Sequence, residues 1–209
     1  MIEGYRPKEF DRRSLRIGID IDDVVSNHFK NVISKFNSQF GTNFTLEDIS
    51  SFYFLESVNV GNREERIRLL RQFYSDNDTL FDQAEPIDGA VETIQQLASE
   101  SHEIHFISSR DIGLLDRTQE WLSRYGLPVT ATNVHLIKPE DMDAVQFKIR
   151  KSHELALNVV VEDDSRIAVL LDIPVILLDY AWNREVEAEN ILRALNWNGI
   201  YSQILKLSR

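Results

Sequence analysis

The chain has 209 residues, 43% of them hydrophobic, and a formal net charge of -11 from 34 acidic and 23 basic side chains. That balance argues against a general affinity for a nucleic-acid polymer or an anionic membrane, while the absence of cysteine excludes disulfides, thiolate catalysis and cysteine-based zinc sites. The length suits one α/β domain with an insertion, or two small domains. The first residues are polar with no apolar signal-like run, and no uninterrupted apolar stretch approaches the roughly 20 residues of a membrane helix, so a soluble, cytoplasmic protein is expected.

Residues 1–13 are charged and aperiodic and read as an N-terminal tail or docking arm. Residues 15–20 predict a first strand, which runs into Asp20-Ile21-Asp22-Asp23. Acids held this close repel one another, and partial burial adds a desolvation cost. A bound hard cation is the usual compensation, and a solvated strand end or acid-rich helix N-terminus is the plainer alternative. From Asn27 the period becomes helical, with Phe29, Val32, Ile33, Phe36 and Phe40 on one face and Gly41 as the stop. Thr45 and Asp48 form a capping pair for a short helix. Another helix is predicted from about Asn62 through Ile67, Leu70 and Phe73 to about Tyr74. Residues 27–84 therefore read as an inserted helical subdomain, leaving 14–26 and 85–209 for the core.

Pro86 to Ala90 is turn chemistry leading into a helix, followed by a strand over 103–107 and then Ser108-Ser109-Arg110. A helix over 118–125 ends at Gly126, with Pro128 beyond it. Strands are predicted over 134–137, 158–161 and 175–178, with a helix over 146–156 between the first two and a helical region from about 186 to 207 at the end. Short apolar strands separated by helices predict a parallel sheet covered on both faces. Ligands of such sheets bind beyond the carboxyl ends of the strands. Asp20, Asp22 and Asp23 fall there, as do Ser108 to Arg110, Glu162-Asp163-Asp164, and Asp179 with Asn183-Arg184. Two acidic clusters on one edge with a hydroxyl between them predict a divalent-metal site with a phosphate ligand, for which Mg²⁺ has the right preference for oxygen.

Four ordered segments carry a resemblance. Ile19-Asp20-Ile21-Asp22-Asp23-Val24-Val25, Phe106-Ile107-Ser108-Ser109-Arg110, Lys148, and Val160-Val161-Glu162-Asp163-Asp164 resemble motifs I to IV of the haloacid dehalogenase (HAD) superfamily. Pro86 to Ala90, Thr118 to Leu122 with Gly126, Leu178 to Arg184, and Arg193 through Trp197 to Ile200 are similar to its 5'(3')-deoxyribonucleotidase-like branch and bacterial nucleotidase relatives. The resemblance spans Arg16 to Leu207. It implies a Rossmann-like three-layer α/β/α core with a helical cap in the C1 position between motifs I and II. It also implies a Mg²⁺-dependent phosphomonoester hydrolase acting on a nucleoside monophosphate through an aspartyl-phosphate. Asp20 would be the nucleophile and Asp22 the acid/base, its backbone carbonyl turned to the metal. Ser108 would hold a phosphoryl oxygen and Lys148 would neutralise charge. Asp163 would bind metal with Asp20, and Glu162 or Asp164 would support it. Position 23 is Asp where many members have Gly, and the Glu-Asp-Asp of motif IV leaves the ligand register open by one residue.

Plainer readings stand beside these. Lys138 and Lys151 compete with Lys148, which spacing favours. Arg110, with Ser109, either meets substrate or pairs with a nearby acid. Phe52, Tyr53 and Phe54 either stack on a base or fill a cap core. His28 and His105 read as structural, Trp121 and Trp197 as core, and Asn183 and Arg184 as caps of the last helical region. A phosphatase for another small ester, such as a sugar phosphate, and a receiver-like phospho-aspartate domain are the alternatives. A homodimer is compatible with every one of them.

Overall fold

The computed structural model describes residues 13–51, 62–77, 79–141 and 143–209. Its sheet is all parallel, built from β1 (Arg16–Ile19), β2 (Glu103–Asp111), β3 (Val134–Ile137), β4 (Val159–Glu162), β5 (Val175–Leu178) and β6 (Ile191–Ala194), in the spatial order β3-β2-β1-β4-β5-β6. β1 is central, with Ile19 aligned to Phe106 on one side and to Val161 on the other. The chain builds outward from it in both directions, so the strand order reverses beside β1 and opens a crevice there.

The helices among the described residues are α1 (His28–Phe40), α2 (Arg63–Asp76), α3 (Leu80–Gln83), α4 (Ala90–Ser99), α5 (Leu115–Arg124), α6 (Ala144–Glu154), α7 (Ser165–Ala168) and α8 (Trp197–Leu207). Alternate strand residues separate into two layers, as the period of a strand requires. Ile17, Ile19, Phe106, Val161 and Ile176 pack with Ile94, Trp121 and Ile200 of α4, α5 and α8. Ile107, Val160, Val175 and Leu177 pack on the other face with Phe147 of α6 and Ile167 of α7. Gly18 lies on that second face, where a Cβ would sit 2.5 Å from Leu157 Cδ1, so the centre of the sheet is pressed closely against its neighbour.

A separate apolar cluster joins Val32, Ile33 and Phe36 of α1 to Ile49, Phe73 of α2, and Leu80. Phe29, Val32, Ile33 and Phe36 of the predicted α1 face are buried while Phe40 is exposed, and Gly41 closes the helix at φ 65 in the left-handed region. The Thr45–Asp48 pair is a capping box on a 3₁₀ turn at Leu46–Asp48. Departure from and return to the sheet lie side by side: Asn27 N–H donates to Glu85 O at 2.8 Å and Ile87 N–H to Val25 O at 2.8 Å.

The structure corrects the expected C-terminal end. The region read as helical from about 186 holds a sixth strand, and its helix begins only at Trp197. The four edge residues Ile191 to Ala194, three half-buried and Ala194 buried, carry too short an alternation to be distinguished from a helix. Asn196 marks the true boundary: its backbone is extended (φ -167) and its side chain accepts from Gly199 N–H at 3.0 Å. Strand β2 also runs four residues past its predicted end, carrying Ser108 and Arg110 on the strand itself. Among the described residues no helix is long and apolar enough to cross a membrane.

The cap at Asn196 gives a test of this boundary. Asn196→Ala should cost about 1 kcal/mol in urea unfolding, and Asn196→Gly only a few tenths. Equal losses in the two variants would show that the side chain caps nothing.

Candidate active site

The carboxyl ends of β1 and β4 bring three acids together. One oxygen each from Asp20, Glu162 and Asp163 lies within 4.8 Å of the other two, and all three residues are buried. Lys148 enters from α6, its ammonium 2.8 Å from Asp20 Oδ1 and 2.6 Å from Glu162 Oε1. Asp143 fixes where α6 starts by accepting from Val145 N–H and Gln146 N–H, which sets the depth at which Lys148 arrives. Lys138 instead lies near Glu140, and Lys151 pairs with Glu154, so spacing had selected the lysine that reaches the acids.

Burial pushes the pKa of Asp20 up against the opposing pull of Lys148. Burial, then Asp20, Glu162 and Asp23, hold that of Asp163 well above the ordinary range. Glu162 is raised by burial to about 8, with Lys148 opposing. Burial works against the Lys148 charge, but Asp20 and Glu162 outweigh it and keep the amine protonated. Three buried carboxyl groups beside one ammonium form a cluster of oxygen donors that hold protons unless a cation takes their place. That donor set fits a hard divalent cation such as Mg²⁺. Further bonds orient the cluster. Glu162 Oε2 accepts from the N–H groups of Asp163 and Asp164, Trp182 Nε1–H donates to Asp163 Oδ2 at 3.1 Å, and Asn183 Nδ2–H donates to Asp163 O at 2.8 Å. Asn183 thus supports the site rather than the last helix, and Arg184 pairs with Asp179, both contrary to expectation. Asp164 is turned away: it caps α7 and pairs with Arg166.

Asp22 has different company. Arg110 grips it with two bonds, Nε–H to Oδ2 at 2.9 Å and Nη2–H to Oδ1 at 2.7 Å. Burial alone would raise the Asp22 pKa, but Arg110 and then His28 outweigh it and hold it below the usual value. Arg110 is itself seated, donating to Thr118 Oγ1 and lying 4.8 Å over the Phe81 ring. His28 lies with Nδ1 3.8 Å from Asp22 and stacks on Phe81 at 4.6 Å, so the histidine expected to be merely structural stands beside the acids. Ser108 is buried, and its Oγ accepts from Arg110 N–H.

Asp23 occupies a left-handed position, φ 58, which explains why glycine is common there in the resembled family. Its carboxylate accepts from Phe29 N–H at 2.8 Å, tying the acidic loop to the first turn of α1. Burial raises its pKa far above normal against that hydrogen bond.

A cavity of about 670 Å³ opens over these groups, lined at its floor by Asp20, Asp22, Ser108, Lys148 and Asp163 and at its side by His28, Phe29, Tyr74 and Phe81. Ser109 and Arg110 also face it. Phe52 and Tyr53, the expected base contacts, lie outside the described residues. The ring-bearing wall escaped sequence reasoning because it is assembled from three separated segments, and only Phe29 and Tyr74 belonged to a recognisable periodic run.

The sequence pattern of the family described as 5' nucleotidase, deoxy (pyrimidine), cytosolic type C protein matches residues 13–208. A protein of Halalkalibacterium halodurans provisionally named a nucleotidase is 28% identical over 189 residues, covering 89% of this chain and 90% of its own. A nucleotidase of Clostridium acetobutylicum is 24% identical, covering 92% and 95%. The crystal structure of a HAD family hydrolase from Deinococcus radiodurans, with bound phosphate and sodium, superposes with a TM-score of 0.60 at 16% identity, covering 94% of this chain and 97% of that one, which is a likeness of fold. With a family match over nearly its whole length, on the sheet and acidic site just described, the chain belongs to the 5' nucleotidase, deoxy (pyrimidine), cytosolic type C family of HAD-like phosphatases.

Proposed function

We propose that the protein is a Mg²⁺-dependent nucleotidase that hydrolyses (deoxy)nucleoside monophosphates through an aspartyl-phosphate on Asp20, with residues 27–84 as the cap over its site. The observation that carries this reading is the pairing within one cavity of an acidic, lysine-braced floor with a wall of His28, Phe29, Tyr74 and Phe81. The floor suits a phosphoryl group, and flat rings suit a base, which offers a π-face to them. The size of the cavity argues against a receiver domain, and the family match favours a nucleotide over a sugar phosphate, which can also pack on rings. The proposal carries with it the cytoplasmic location expected from the sequence.

In this mechanism Asp20 attacks phosphorus and carries the phosphoryl group. Lys148 holds the attacking carboxylate in place and offsets charge developing beside it, while Ser108 donates to a phosphoryl oxygen. Asp20, Asp163 and Glu162 would hold Mg²⁺, with the Asp22 carbonyl, and the ion supplies charge neutralisation for the phosphate. Asp22 gives a proton from its carboxyl to the leaving oxygen and later takes one from the attacking water. Its grip by Arg110 opposes that first step, since a doubly bonded carboxylate with a depressed pKa holds no proton. Arg110 must therefore turn toward the substrate phosphate as the ester enters, releasing Asp22 to be protonated.

Phosphate release from a panel of nucleoside monophosphates and sugar phosphates, with Mg²⁺ and with chelator, tests the reading. Nucleotides should be preferred, chelator should stop release, and Asp20→Asn should lower kcat by at least about a thousandfold, roughly 4 kcal/mol of barrier. Full activity of Asp20→Asn, or inactivity of wild type on every ester, would refute it.

A second expectation follows from the buried carboxyls. Asp20, Asp23, Glu162 and Asp163 all have folded pKa values above their ordinary ones. The metal-free folded chain then keeps protons that the unfolded chain has lost, so its stability falls as pH rises from about 4 through 8. Mg²⁺ replaces those protons, and at about 100 times its Kd it should add about 2.7 kcal/mol. Melting curves at pH 6 and 8 should show the larger Mg²⁺-induced rise at pH 8. A rise independent of pH would place the ion elsewhere.

A further inference from the structure

Trp182 belongs to two parts of the molecule at once. Its indole N–H donates to Asp163 Oδ2 at 3.1 Å, and Asp163 is one of the three acids whose donor set fits a divalent cation. Its ring is buried in the apolar cluster of α1 and α2. Among the described residues, the other buried members of that cluster, from Phe29 to Leu80, all come from the segment 27–84. Trp182 is the exception, supplied by the turn after β5. Phe29 meets it edge-on with ring centres 5.2 Å apart, and Tyr180 stacks on it at 4.2 Å.

The indole is held in place by its neighbour in sequence. Asn183 donates to Asp163 O and to Leu178 O, while Arg193 of β6 donates to Asn183 Oδ1 and O. The turn is thereby fixed to the sheet, and Trp182 with it. The Asp163 carboxylate is the less determined partner. The last torsion of an aspartate is soft, so a donor on one oxygen selects the plane of the whole group. An indole N–H suits this task because it only donates and carries no charge. It orients Asp163 without competing with a cation for the acids, as a second lysine would.

Packing alone offers a plainer account, in which a buried tryptophan takes whatever acceptor is at hand. Trp121 and Trp197 show that case: their indoles donate to the backbone carbonyls of Ala84 and Val24. Trp182 ends instead on a side chain of the acidic site. We propose that Trp182 is a positioning residue that couples the metal site to the cap: its N–H sets Asp163 for the cation, and its ring passes the occupancy of that site to α1 and α2. This rests on the Mg²⁺-dependent reading above. By linkage the coupling runs both ways, so a seated cap also favours the ion.

Three measurements on the full chain test it, none of which needs turnover. Calorimetric titration with Mg²⁺ should show about tenfold weaker binding to Trp182→Phe, which keeps a ring and loses the donor, than to wild type. Hydrogen exchange of the α1 and α2 amides should slow about fivefold when wild type is saturated with Mg²⁺. That ratio should fall to near one in Trp182→Phe at its own saturation. A merely structural role predicts faster exchange in the variant with and without the ion, and an unchanged ratio. The third measurement uses wild type alone and does not depend on the variant folding. In its nuclear magnetic resonance spectrum the indole N–H signal of Trp182 should shift with Mg²⁺, while those of Trp121 and Trp197 move little. Equal Mg²⁺ affinity in the variant, an unchanged exchange ratio, or a Trp182 signal that ignores bound Mg²⁺ overturns the coupling. Wild type that binds no Mg²⁺ in the calorimeter overturns the metal-dependent reading instead.

Discussion

The Lys148 ammonium, held between Asp20 at 2.8 Å and Glu162 at 2.6 Å, is the contact on which the site depends. It joins three elements that are remote in sequence: the end of β1, the end of β4 and the middle of α6. A buried carboxylate without a partner would be neutralised by a proton, and a buried ammonium without one would lose its own. The two acids keep the Lys148 amine protonated, while Lys148 only partly offsets the burial that raises the pKa values of Asp20 and Glu162. Removing one partner of such a cluster is far more damaging than its net contribution to stability suggests, because it strands the remaining charge. The surplus of acid beside Asp163 is a setting of oxygen donors that a hard divalent cation fits.

The three aspartates of the opening motif share a loop but not a task. Asp20 belongs to the lysine cluster, Asp22 to Arg110, and Asp23 to the N–H of Phe29. That division answers the electrostatic problem posed by acids so close in sequence: each carboxylate faces a different donor supplied by a different element. Asp23 accepts the conformational cost of a left-handed backbone and returns a hydrogen bond that ties the catalytic loop to α1. Through α1 and the aromatic stack of His28 on Phe81, the floor of the cavity is mechanically linked to the helices that form its walls. An opening or closing of those helices would therefore be felt at Asp22, through His28 and through Phe81 under Arg110.

Much of this was legible in the residues alone because strand ends concentrate polar side chains. Two acidic ends and a serine-bearing end select the crevice beside β1, helical period placed α1 and α2, and the resemblance to motif III singled out Lys148. Other parts left no local signal. Ile191 to Ala194 form an edge strand whose four residues show no decisive alternation, and only the capping geometry of Asn196 reveals where the last helix starts. The role of Asn183 depends on a carbonyl twenty residues away in the chain, at Asp163. His28 looks like any buried histidine until Asp22 and Phe81 are placed beside it. The aromatic wall is a property of packing between segments, which no single window of sequence contains. Arg110 was open between two partners, and the structure pairs it with Asp22, leaving its contact with substrate to the proposed mechanism.

In the proposed mechanism a carboxylate oxygen of Asp20, braced by Lys148, attacks phosphorus. Acid quenching of wild-type enzyme during turnover of a preferred nucleotide, followed by mass analysis of its peptides, tests it directly. One phosphoryl group should appear on the wild-type peptide containing Asp20 and be absent in Asp20→Asn. A phosphoryl group found on another residue, or turnover with no phosphorylated protein under conditions that trap acyl phosphates, would contradict it.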